Sequence, residues 1–236
     1  MKINKAWCFF EQSGVFKNEF KKLGIPAVDC DILNNFNQTD FELDLFREIE
    51  KAHSCEDSIF EDIKKDDLIF AFFPCTYFSA RVPLNSRGEA VKMKSWGDRK
   101  KLIYTKFVIN EISVYYRILC DLCLVCLTKN LKLVIENPYT QPHFLTQYFP
   151  IKPVILDKDR SKRGDDFKKP TQYFFINCEP EQNFIFENIE KQRTKIIEKM
   201  RNKGEICRQE LRSLINPCYA NRFIREFLLD GTNENK

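Results

Sequence analysis

Two short apolar runs bracket one long helical stretch, and that order leaves few architectures open. Asp67 to Phe73 and Lys132 to Ile135 are rich in aromatic and β-branched residues and too short to be core helices. Their apolar residues follow one another without alternation, the pattern of strands buried on both faces. Between them, Lys106 to Leu127 has the length and apolar content of a helix. A strand, a long helix and a second strand predict a mainly parallel sheet covered by helices on both faces.

The rest of the chain extends this rhythm into a Rossmann-like α/β domain. Ala6 to Phe10 is a predicted strand. Gly14 to Leu23 is a predicted helix, with Phe16, Phe20 and Leu23 on its apolar face. Pro26 to Cys30 and Phe41 to Leu45 are predicted strands two and three, and Gln172 to Ile176 a later one. Ile189 to Lys203 reads as an exposed helix. Pro217 to Leu229 reads as a terminal amphipathic helix presenting Ala220, Phe223, Ile224 and Phe227. Ala80 to Lys101 is polar and reads as a long loop or short helix, and Asp157 to Pro170 as a charged loop. We expect one domain over residues 1–236, with a small appendage at about 157–212.

Composition excludes some classes. Charged residues make up 31% and apolar residues 43%, which places the chain among globular proteins. No apolar stretch has the length of a membrane span, and the N-terminus lacks a signal-peptide core, so a cytoplasmic protein is expected. The 10 cysteines are then expected to be reduced thiols. Cys120, Cys123 and Cys126 are read as packing residues of the long helix. His53 and His143 are expected at the surface or in turns. A net charge of +4 permits nucleic-acid binding without requiring it.

Chemistry concentrates at the strand ends. The first strong run ends in Pro74-Cys75 and the second in Glu136-Asn137. In open α/β sheets, the carboxyl edge of the strands is where ligands bind. A thiol nucleophile and a carboxyl proton donor facing one pocket suit covalent attack on an electron-poor ring. The turn Phe10-Glu11-Gln12-Ser13-Gly14 follows the first strand, where backbone N–H groups and a helix N-terminus can meet a ligand anion. Asp29 or Asp31, after the second strand, is a candidate for ribose hydroxyls. Asp44, after the third, is a candidate for an adenine amino group. Each of these acids also suits a turn or cap.

In this order the residues resemble the cytosine-C5 DNA methyltransferase family. Phe10 to Gly14 is similar to its Phe-x-Gly-x-Gly loop; Asp29 or Asp31 and Asp44 stand at its acidic positions. Pro74-Cys75 and Glu136-Asn137 match its two catalytic motifs, and Lys158 to Arg163 approximates its Gln-x-Arg-x-Arg element. The resemblance covers residues 5–138 and implies a class I methyltransferase-type fold, S-adenosylmethionine as cofactor and DNA as partner. It implies that Cys75 attacks C6 of a flipped-out cytosine while Glu136 holds the ring. Arg160, Lys162 or Arg163 would supply the positive setting a thiolate needs. Phe10 to Gly14, Asp29 or Asp31, Asp44 and Pro74 would line the cofactor. The basic loops Arg81 to Lys101 and Asp157 to Lys169 would contact phosphates.

Departures are specific. Gln12 replaces the first glycine, Phe73 a proline before Pro74, and Pro138 the valine after Glu-Asn. Too few residues separate Arg163 from the terminal helix for the family's usual recognition region, so the resemblance is to a short version, of the kind a phage or mobile element carries. Two other readings therefore stay open: a methyltransferase-like protein that binds nucleic acid or protein without catalysis, and a methyltransferase acting on RNA or a free nucleotide.

Overall fold

The computed structural model describes residues 1–79, 81–90, 93–185 and 214–231. Its strands are β1 (Ala6–Phe9), β2 (Ala27–Asp31), β3 (Phe41–Glu42), β4 (Leu68–Ala71), β5 (Lys132–Pro138), β6 (Ile155–Asp157) and β7 (Thr171–Ile176). They form one sheet in the order β3-β2-β1-β4-β5-β7-β6. β1 to β5 run parallel, and β7 is antiparallel to both β5 and β6. Chain order runs outward one way from β1 through β2 to β3, and the other way from β4 to β5. The crevice at the carboxyl ends of β1 and β4 is thus a topological switch point.

Helices cover both faces: α1 (Val15–Lys22) and α6 (Pro217–Phe223) on one, α2 (Leu45–His53) and α4 (Asp98–Lys129) on the other. Period-two alternation divides the strands between them. On β4, Ile69 and Ala71 pack toward α2 and α4, whereas Leu68 and Phe70 pack toward α1 and α6. Phe16 of α1 stacks on Phe70 at 4.7 Å and meets the edge of Phe223. Each such buried ring stabilises the fold by about 1.5–3 kcal/mol. Cys123 and Cys126 are buried on α4.

The predicted strands recur, with corrections. The third strand ends at Glu42, and Asp44 instead caps α2, accepting hydrogen bonds from Phe46 N at 3.0 Å and Arg47 N at 3.4 Å. α4 begins at Asp98, eight residues before the predicted start at Lys106, because its charged first turns are good helix formers. Ala80 to Lys101 contains α3 (Arg81–Ser86) and the start of α4. β6 and the short α5 (Phe144–Tyr148) were not anticipated. The predicted helix at Ile189 to Lys203, and residues 186–212 of the appendage, lie outside the described residues. Among the described residues no helix is long and apolar enough to cross a membrane.

Candidate active site

Cys75 and Glu136 come from neighbouring strands. β4 and β5 are in parallel register, with Ala71 beside Ile135. Four residues past Ala71 comes Cys75; one past Ile135 comes Glu136. The two extensions are tied together: Asn137 Nδ2 donates to the Phe73 carbonyl at 2.8 Å, fixing the segment that enters Pro74-Cys75. Beyond Cys75, the buried Phe78 stacks on Phe144, and its carbonyl accepts from Phe144 N at 3.0 Å, which anchors the loop to α5. Glu136 and Asn137 lie inside β5, paired with Tyr173 and Gln172 of β7.

The electrostatics favour a resting thiol. Burial raises the Cys75 pKa and the Glu136 carboxylate raises it further, against a smaller opposing effect from Lys169. The predicted cations act elsewhere. Arg160 is fully buried, its guanidinium 2.5 Å from Asp165 and 3.5 Å from Glu136, over the Tyr219 ring. It holds Glu136 and is too deep to contact phosphate. Arg163 pairs with Asp157 and Glu226, each at 3.1 Å, and so joins the turn before β7 to the C-terminal segment. Arg163 is thus a structural cation. Lys162 remains exposed.

At the end of β1, Phe10 adopts a left-handed backbone (φ 59°), rare for a bulky residue, while its ring packs against Phe46 and Phe73. Strain of this kind clusters at functional sites. Gly14 is also left-handed (φ 64°), and a Cβ there would lie 3.0 Å from Gln38 Cβ. The anion site expected at the start of α1 is filled from within. Glu11 accepts from Phe16 N at 2.7 Å and from Lys17 N at 3.2 Å. Burial pushes its pKa up to about 7 despite these two bonds. Gln12 places Oε1 in the interior, without a hydrogen-bond partner among the described residues.

Burial separates Asp29 from Asp31. Asp29 is fully buried, 3.0 Å from the Lys17 ammonium, and accepts from Asp40 N at 2.7 Å. It cannot reach a ribose. Asp31 is half-buried at the carboxyl end of β2, accepts from Leu33 N at 2.8 Å, and is followed by the exposed Ile32 and Leu33. Asp44, committed to capping α2, stands beyond the strand end from which an adenine contact was expected.

Three features escaped sequence reasoning. Lys169 is brought to the site because β7 inserts beside β5, a pairing that no local pattern announces. Glu11 caps α1 from outside the usual cap position. His143 is buried, although it stands in a turn, and burial lowers its pKa to about 4, so its ring is neutral. A surface cavity of about 410 Å³ lies at the opposite, amino edge, lined by Asn4, Lys5, Pro26, Asp62, Lys64 and Asp67. It holds no thiol and lies away from the switch point. A scan against protein-family models matches none, and a search of curated proteins finds no match.

Proposed function

We propose that the chain is an S-adenosylmethionine-dependent cytosine-C5 methyltransferase acting on DNA. The observation that carries the reading is the placement of Cys75 just past β4 and Glu136 near the carboxyl end of the neighbouring β5, joined by the Asn137–Phe73 hydrogen bond at 2.8 Å, beside the switch point. The mainly parallel sheet with β7 reversed suits the class I methyltransferase type that the motifs imply.

The residues suit the adenosine end of the cofactor. Asp31 would take the ribose hydroxyls, and the exposed Ile32 and Leu33 would offer an apolar face to the adenine ring. The α1 amides would not hold its carboxylate, because the Glu11 carboxylate already accepts from them. When bound, S-adenosylmethionine supplies an electrophilic methyl group. In the reaction, the Cys75 thiolate forms an Sγ–C6 bond while Glu136, having taken up a proton from solvent, gives that proton to N3. The electron pair of the C5–C6 double bond is thereby made available at C5, which takes up the methyl group. A base then removes the C5 proton, Sγ leaves with its bonding pair, and Glu136 recovers the N3 proton. Arg160 keeps Glu136 in place throughout, its own charge balanced by Asp165.

Transfer of label from methyl-labelled S-adenosylmethionine to DNA tests the reading. Label should appear at cytosine C5 with the wild type and be absent with Cys75→Ser, because serine is a far weaker nucleophile at neutral pH. One observation favours a second reading, a protein that binds without methylating: Glu11 and Gln12 fill the loop that would cradle the methionine end. Nucleic-acid binding with no label transfer at saturating cofactor would select it.

A further inference from the structure

We infer that Lys169 is the residue that activates Cys75, its ammonium stabilising the thiolate from across the end of β5. The inference rests on the reading of Cys75 as the nucleophile. Its basis is the sheet. Pro138 of β5 pairs with Thr171 of β7, and Tyr139 N donates to the Pro170 carbonyl at 2.9 Å. Lys169 therefore emerges at the carboxyl edge on one side of the β5 extension, and Cys75 on the other. Two strand spacings separate the chains, about 10 Å, a gap that a flexible four-carbon lysine stem spans.

The charges around the thiol leave this role to Lys169. Glu136 faces Cys75 from β5 and opposes ionisation; Lys169, from the segment before β7, favours it. Arg160 is neutralised between Asp165 and Glu136, and Arg163 between Asp157 and Glu226. Lys169 forms no ion pair among the described residues, and it is half-buried, where its field is screened less than at the open surface. Ionisation sends the Sγ proton to solvent and leaves on sulfur the electron pair that attacks C6. A substrate ring that draws the Glu136 carboxyl into hydrogen bonding would weaken the opposing charge, so Lys169 would act most strongly once the site is filled.

Alkylation by iodoacetamide reads this directly, since only the thiolate displaces iodide. The rate at Cys75, followed by mass spectrometry of its peptide between pH 6 and 10, should show Lys169→Met shifting the half-maximal pH upward by about 0.5–1, a three- to tenfold slower reaction near neutrality. Lys169→Arg should restore the wild-type profile and Lys168→Met should leave it unchanged. Glu136→Gln should shift it the other way. A Lys169→Met profile that overlays the wild type, with circular dichroism showing both folded, would overturn the proposal, as would failure of Lys169→Arg to rescue. The readout does not require methyl transfer. A shifted profile in a protein that never labels DNA would keep the Lys169 assignment and reject the methyltransferase reading.

Discussion

The Asn137 side chain binds the Phe73 carbonyl at 2.8 Å, joining the strand that carries Glu136 to the segment that carries Cys75. Both groups are interior, so water cannot replace the bond. Asn137→Ala should destabilise the protein by about 1–3 kcal/mol, the cost of a buried carbonyl left unpaired. Urea denaturation measures it. Activity should fall further than stability, because the Pro74-Cys75 loop loses its tie to Glu136. Equal losses would make Asn137 a packing residue only.

Glu11 gives the stability a distinctive pH dependence. Its folded pKa is raised by burial to about 7, above the unfolded value near 4.5. The folded state therefore holds this proton more tightly than the unfolded chain does. The contribution is fully present below about pH 4.5 and is lost as pH rises to about 7, by roughly 3 kcal/mol in all. Glu11→Gln should flatten the dependence in that window. Denaturation midpoints at pH 5 and pH 7.5 compare the two proteins; an unchanged difference between the pH values in Glu11→Gln would show that Glu11 is not its source.

Asp29 and Asp31 should separate cleanly. Asp29→Ala leaves the Lys17 ammonium buried, with only the partly exposed Asp40 as a charged partner among the described residues, and should cost about 3–5 kcal/mol. Asp31→Ala should leave the melting temperature close to the wild type and weaken S-adenosylmethionine about tenfold or more, the loss of a charge-assisted hydrogen bond. Thermal denaturation and calorimetry decide it. Full cofactor affinity in Asp31→Ala would remove the ribose assignment.

The basic turn should divide in the same way. Lys158 and Lys162 are exposed, whereas Arg160 is fully buried. Replacing both lysines should weaken DNA binding to all sequences alike and lower the salt slope by about one per lost phosphate contact. Arg160→Ala should instead destabilise the fold by about 3–5 kcal/mol, because Glu136 and Asp165 lose their shared cation. A salt slope unchanged in the double lysine variant would place the DNA elsewhere.

The sequence made the sheet legible where a strand is apolar throughout, as at Phe70 and Val134, and where glycine or proline punctuates it. It made Cys75 and Glu136 legible because both follow such strands. It could not show that Asp29 is sealed against Lys17 while Asp31 stands at the open edge, since two acids on the same face of a strand look alike until their depth in the fold is known. Nor could it show Arg160 buried. A run of charges reads as a solvated loop, and only the Asp165 and Tyr219 contacts, across 5 and 59 residues, draw it inside. Lys169 was hidden for the same reason: its place depends on an antiparallel strand inserted beside β5.

The central claim is that Cys75 attacks a cytosine ring while Glu136 holds it. Trapping on DNA containing 5-fluorocytosine tests this most directly, because fluorine cannot leave as a cation and the adduct persists. With S-adenosylmethionine present, the wild type should form a complex with this DNA that survives denaturation. Peptide mapping should place the bond at Cys75, Cys75→Ser should form none, and Glu136→Gln should form it far more slowly. A stable adduct in Cys75→Ser, or none in a wild type that binds both DNA and cofactor, would contradict the account.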